Sequence, residues 1–192
     1  MQLIDDIVVG DNMFTGEELL KLIELCEQRI AIDGMPDRTD TDMSTLSYDG
    51  FCCFIKKDPE RQFLFNRFGE YAKRINESYF GLDITSALPQ GILYSKYDTP
   101  GRHVGWHTDK KEHSKSVASS MVRKMVVVLQ LSDPSEYEGC DIEVMTDQGL
   151  RQVPKGKGTY YSIPGYVPHQ ITPLVSGERK ALIMWFIGPP FK

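Results

Sequence analysis

Apolar residues recur at helical spacing twice in the first half of the chain. Leu19, Ile23, Cys26 and Ile30 form one stripe. The segment opens with Thr15-Gly16-Glu17-Glu18, where Thr15 and Glu18 are spaced so that each side chain satisfies an amide of the first turn. Leu64, Phe68, Tyr71, Ile75 and Tyr79 form a second stripe, with Asp58 placed as its cap, Pro59 at the first helical position and Gly81 as its stop. Phe51–Ile55 is a short apolar run suited to a strand. Residues 33–49, rich in Asp, Thr, Ser, Gly and Pro, read as a long loop.

The texture changes at Gly91. Residues 91–97, 103–109, 124–131, 142–145, 158–163, 169–175 and 179–187 are strand-like runs separated by Gly, Pro, Asp and Ser clusters. Short strands with this punctuation predict a mainly β sandwich or barrel, and helices that precede it pack on one face and bury their stripes there. No repeat, low-complexity tract or linker divides the 192 residues, so one domain is expected, with helical support over 1–90 and a β core over 91–192.

Charge and composition narrow the function. With 27 acidic against 22 basic residues and a net charge of -5, the chain lacks the broad positive field that neutralises phosphates, which disfavours nucleic acid. Even the longest purely apolar run, 181–187, is far below the roughly 18 residues that span a bilayer. Asp5 and Asp6 stand where a signal peptide would be basic and then apolar, so a cytoplasmic protein with no membrane partner is expected. Cys26, Cys52, Cys53 and Cys140 have no CxxC spacing, which points to neither a zinc site nor a disulfide framework.

The triplet His107-Thr108-Asp109 carries the most chemical information. Side chains two apart on a strand point to one face and can bind one ion. His169 follows Pro164-Gly165-Tyr166-Val167-Pro168 at the mouth of a later strand, where a turn can bring it beside the pair. Two imidazoles and one carboxylate leave three octahedral positions open, which suits ferrous iron awaiting a chelating cosubstrate and oxygen; zinc prefers a closed tetrahedron. Arg179 lies beyond the turn Ser176-Gly177-Glu178, and a hairpin of 169–175 with 179–187 would place its fork near that turn, ready for a carboxylate.

These residues resemble the iron(II) and 2-oxoglutarate dependent dioxygenases, in the prolyl 4-hydroxylase-like branch that includes PiuC-type bacterial enzymes. The resemblance covers residues 91–187, about half the chain. It rests on Tyr97, on His107 and Asp109, on Tyr137-Glu138-Gly139-Cys140-Asp141-Ile142, on Lys155-Gly156-Lys157-Gly158, on His169, on Val175-Ser176-Gly177-Glu178-Arg179 and on Trp185. The branch often has two consecutive glycines where this chain has Gly139-Cys140, which leaves the conformation of that turn open.

The resemblance implies a double-stranded β-helix, or jelly roll, in which His107, Asp109 and His169 hold iron. Arg179 and Tyr97 would receive the distal carboxylate of 2-oxoglutarate, oxygen would be the cosubstrate and ascorbate a supporting reductant. The implied activity couples decarboxylation of 2-oxoglutarate to hydroxylation of a C–H bond, and Asp109 argues against a halogenase. A protein or peptide containing proline is the leading substrate, with residues 33–49 and 110–120 closing over it. A small-molecule hydroxylase of the same superfamily and a non-catalytic metal- or 2-oxoglutarate-binding module are the alternatives.

Other residues receive plainer readings. His103 shares parity with His107 and is read as a neighbour of the site; His113 belongs to a solvated stretch, Tyr94 to the core, and Trp185 to the core and the pocket wall. Nothing around Cys140 signals a reactive thiol.

Overall fold

The computed structural model describes residues 1–33, 48–49, 51–110 and 121–191. In chain order these form β1 (Gln2–Ile4), β2 (Ile7–Gly10), α1 (Gly16–Asp33), β3 (Tyr48–Asp49), β4 (Phe51–Ile55), α2 (Gln62–Ile75), β5 (Ser86–Ala87), β6 (Ile92–Tyr97), β7 (His103–His107) and β8 (Val122–Gln130). There follow β9 (Tyr137–Gly139), β10 (Ile142–Thr146), β11 (Gly149–Gln152), β12 (Tyr160–Pro164), β13 (His169–Ile171), β14 (Leu174–Gly177) and β15 (Arg179–Gly188). A major sheet runs β1-β2-β12-β8-β15-β6-β4, with β5 also on β15; a smaller sheet runs β11-β10-β13-β7-β3, and β14 pairs with β9.

The strands of the major sheet divide their side chains by parity, because successive residues point to opposite faces. Met125, Val127 and Leu129 of β8, with Leu182, Met184 and Phe186 of β15, pack against Leu19, Leu22, Leu64 and Phe68 of the helices. The alternate residues Val126, Val128, Ala181 and Trp185 pack instead with Val104, Ile142, Val144 and Ile171 of the smaller sheet. Both faces of the major sheet are therefore covered, which is why β8 and β15 read as nearly continuous apolar runs. The polar exceptions on the inner face, Arg179 and Gln130 among them, are the starting point of the site.

The cap of α1 forms as its spacing requires: the Thr15 amide donates to Glu18 Oε2 at 2.7 Å and the Glu18 amide donates to Thr15 Oγ1 at 3.2 Å. At α2 the expectation is corrected. Asp58 accepts from the Arg61 amide at 2.9 Å, but Pro59 and Glu60 are spent in a turn and the helix starts at Gln62. At its far end the helix widens into a π turn over Asn76–Phe80 before Gly81, with φ 59°, stops it. The wider turn rotates the stripe, so Tyr79 is exposed and Phe80 packs on the core in its place.

Two further corrections bear on the site. The single run 169–175 is two strands, because Thr172 turns its backbone and hydroxyl to Asp141 and Pro173 has no N–H to continue a ladder. The hairpin expected between that run and β15 does not form: β13 pairs with β7 and β10, β14 with β9, and β15 with β6 and β8. Gly177 nonetheless needs to be glycine at the entry to β15. Its φ is +80°, and a Cβ there would lie 2.0 Å from the Glu136 carbonyl oxygen.

Candidate active site

His107 and His169 are direct cross-strand partners on β7 and β13, and their rings stand 4.2 Å apart between centroids. Asp109 is not on the strand as expected; β7 ends at His107, and Asp109 lies in the bend that follows. The bend still turns its carboxylate to the same point, and one donor atom from each of His107, Asp109 and His169 lies within 4.8 Å of the others. Both rings are oriented by backbone: Nδ1 of His107 lies 2.8 Å from the Gly105 carbonyl and Nδ1 of His169 lies 3.0 Å from that of Val167. An Nδ1–H held by a carbonyl leaves Nε2 as the free lone pair, the arrangement that metal-ligating imidazoles use. The donor set fits a divalent ion with open positions, and these residues could hold one.

Asp109 is only 4% exposed. Burial by itself raises its pKa, but His169, Arg123 and His107 act in the opposite sense and prevail, so the group sits below the ordinary carboxylate range. Arg123 approaches Asp109 Oδ1 at 3.5 Å and lays its guanidinium 4.0 Å from the centre of the Trp185 ring. Arg123 reaches Asp109 through a bulge. Phe186 pairs with Met125 but Ile187 pairs with Arg123, so Lys124 is an extra residue and the parity of β8 flips. Because partners of metal-ligating groups tune affinity, Arg123→Met is expected to weaken iron(II) binding by roughly 10-fold. An anaerobic titration with iron(II) measures it, while the thermal midpoint reports whether the fold is intact.

Deeper on the inner face, Arg179 is the cross-strand partner of Tyr97, with its guanidinium carbon 5.4 Å from the ring centre. Arg179 is 1% exposed. Its Nη2 donates to Gln130 Oε1 at 2.9 Å, yet Nε and Nη1 have no partner among the described residues. A buried guanidinium met by neutral groups, the Gln130 amide, the Tyr137 hydroxyl and the Tyr97 ring, with no carboxylate paired to it among the described residues, is costly. Tyr161, inward-facing on β12, is buried so that its pKa rises, and it is close enough to feel both Arg179 and Asp109.

The remaining expectations resolve simply. Lys180 lies on the opposite face of β15, bound to Glu178 at 2.6 Å and Glu27 at 3.2 Å, and so is no substitute for Arg179. Tyr94 is core with a polar end, donating to Glu27 at 2.6 Å. His103 meets the Gly101 carbonyl and is not part of the triad cluster. Cys140 adopts φ 48° after Gly139 at φ 82°, so both residues of that turn are left-handed, and burial pushes its thiol up to about 11. His113 and residues 111–120 lie outside the described residues, as do 34–47 of the other loop.

Arg123, Gln130 and Tyr161 were not singled out by sequence reasoning, and Tyr137 entered only as part of the stretch 137–142. Inward parity on otherwise apolar strands marks Gln130 and Tyr161; the bulge hides Arg123.

No family model matches the chain. A prolyl-4-hydroxylase from Pseudomonas putida superposes with a TM-score of 0.72 at 17% identity, covering 96% of this chain and 93% of that one. A prolyl hydroxylase from Trichoplax adhaerens, in complex with a hypoxia inducible factor oxygen degradation domain peptide fragment, gives 0.75 at 11% identity over 95% and 83%. The fold is thus the double-stranded β-helix of the prolyl 4-hydroxylases. In sequence, the chain is 29% identical over 180 residues to a PKHD-type hydroxylase of Shewanella sp. (strain MR-7), covering 91% of this chain and 75% of that protein. In sequence and fold the chain is thus similar to the PKHD-type hydroxylases and the prolyl 4-hydroxylases, and its His-Asp-His cluster is a donor set of the kind that holds a divalent ion. Among the described residues no helix is long and apolar enough to cross a membrane.

Proposed function

We propose that the chain hydroxylates a prolyl residue in a protein or peptide, using iron(II) held by His107, Asp109 and His169 and 2-oxoglutarate received by Arg179 and Tyr97. The observation that carries the reading is the pairing of two half-finished centres, both within reach of the buried Tyr161: a triad of metal-ligating type and a buried cation without an anion. The similarity to a PKHD-type hydroxylase and to two prolyl hydroxylase structures, one bound to a peptide, supports the substrate class. When bound, the metal supplies oxygen activation coupled to decarboxylation of the cosubstrate.

The chain's own residues position and insulate. The Gly105 and Val167 carbonyls hold the imidazole tautomers, and Arg123 draws one carboxylate oxygen of Asp109 towards itself. Arg179 supplies fixed positive charge in a buried place, where low polarity strengthens its pull on an anion. Trp185, Tyr97 and Tyr161, all buried, wall the space and exclude water.

The test is a two-stage assay. Iron(II) and 2-oxoglutarate added together without oxygen are expected to give a visible charge-transfer band that neither gives alone. With oxygen, proline-containing peptides are then expected to gain one oxygen atom as succinate accumulates. A band with steady succinate formation but no modified peptide, across a diverse proline library, would overturn the peptide assignment.

A further inference from the structure

The bulge in β8 offers two neighbouring basic residues for one place. Arg123 pairs with Ile187 and faces Asp109, and Lys124 is the residue left over. Moving the bulge by one position would pair Lys124 with Ile187 and leave Arg123 over, while Val122 stayed with Gly188 and Met125 with Phe186. The rest of the ladder is the same in both registers. Pairing between the strands therefore does not choose which cation meets Asp109, and the choice falls to whatever holds the two side chains.

Lys124 is held by the stretch that follows β15. It is only 3% exposed. Burial lowers its pKa, and the Asp83 carboxylate, which forms no ion pair with it, offsets this only in part. The ammonium instead lies 3.9 Å from the centre of the Phe191 ring, where the aromatic face attracts a cation. The stem lies against Gly188, where a Cβ would stand 3.2 Å from Lys124 Cγ. The ring is itself fixed. Tyr166 meets it edge-on, with centroids 5.2 Å apart and planes at 81°, and Pro189 and Pro190 stiffen the chain that leads to it. Tyr166 sits in the turn that grips the bulge, since the Gly165 amide donates to the Lys124 carbonyl at 2.7 Å.

We propose that Phe191 is a positioning residue for the metal centre: by giving the Lys124 ammonium an aromatic face to rest on, it fixes the bulge in the register that presents Arg123 to Asp109. The two cations are not equivalent there. The planar guanidinium stacks on Trp185 at 4.0 Å while it reaches Asp109 Oδ1 at 3.5 Å, whereas a lysine brings a point charge with no flat surface to stack. The consequence for iron rests on the reading of His107, Asp109 and His169 as its ligands.

The test follows the Arg123 side chain by NMR in the metal-free chain, where the Trp185 ring current displaces its resonances; their loss in Arg123→Met assigns them. The displaced signal is expected in the parent chain and in Phe191→Tyr, which keeps the ring. It is expected to vanish in Phe191→Leu, which keeps bulk without an aromatic face. Adding Lys124→Met to Phe191→Leu is expected to restore it, because the rival charge is gone. Anaerobic titration with iron(II) should follow the same order. Binding is expected to be about 5-fold weaker in Phe191→Leu, short of the loss in Arg123→Met, and parent-like in the double variant.

Absence of the displaced signal from the parent chain, or its persistence in Phe191→Leu, would overturn the proposal. So would a loss that Lys124→Met does not repair, since Phe191 would then act through packing alone. A parent chain that shows the signal but binds no iron(II) would overturn the reading of the triad instead, while the NMR comparison still decides the role of Phe191.

Discussion

Replacing Asp109 by alanine is expected to abolish retention of iron(II) and all turnover. The loss in affinity should exceed the roughly 100-fold that is the upper end for removing a mere partner of a metal ligand. The change also strips Arg123 of the carboxylate at 3.5 Å that offsets its burial. Asp109→Asn separates the two effects. The amide keeps the shape and still offers Arg123 an oxygen, so the thermal midpoint should stay near that of the parent chain while iron binding remains lost. Metal analysis after gel filtration reads the first quantity and a melting curve the second. Retention of iron by Asp109→Asn at the parent level would remove Asp109 from the ligand set.

Arg179→Leu is expected to move binding and stability in opposite directions. Affinity for 2-oxoglutarate should fall by roughly 2–4 kcal/mol, about 30- to 1,000-fold, the scale of stranding a buried charged partner. The folded chain without cosubstrate should lose nothing and is expected to gain, because the substitution removes a guanidinium that is 1% exposed and met by neutral partners with no carboxylate among the described residues. Apolar replacement of an uncompensated buried charge is often neutral or stabilising. Urea unfolding of the two chains, with and without saturating 2-oxoglutarate, checks both signs at once. Unchanged affinity would mean that another cation receives the cosubstrate.

Much of this was legible from local chemistry. The cap at Thr15 and Glu18, the apolar stripe of α1 and the parity of β6, β8, β12 and β15 are written in short-range spacing, which the chain obeys. His107, Asp109 and His169 were legible as a set because the ligand types and their order carry the signal, although the strand ends before Asp109. What was hidden depends on pairing between distant segments. The strands β1 and β2 lie in a stretch with no marked alternation. They are fixed from outside, by the pairing of β2 with β12 and by Arg151 binding Asp5 at 2.9 Å. The hairpin expected before Arg179 fails for the same reason: adjacency in the chain suggested a partner, and the crossover at Pro173 supplied another. Tyr79 was misplaced because the periodicity assumed 3.6 residues per turn through a segment that is wound more loosely.

The extra residue in β8 has an evolutionary consequence. Loss of Lys124 would restore regular alternation and leave Arg123 next to Met125, still paired with Ile187 and still on the inner face, whereas loss of Arg123 itself would bring Lys124 into that place. Deletion of either residue thus leaves a basic residue at the place beside the carboxylate of this centre, and substitution is the genetic event that withdraws it.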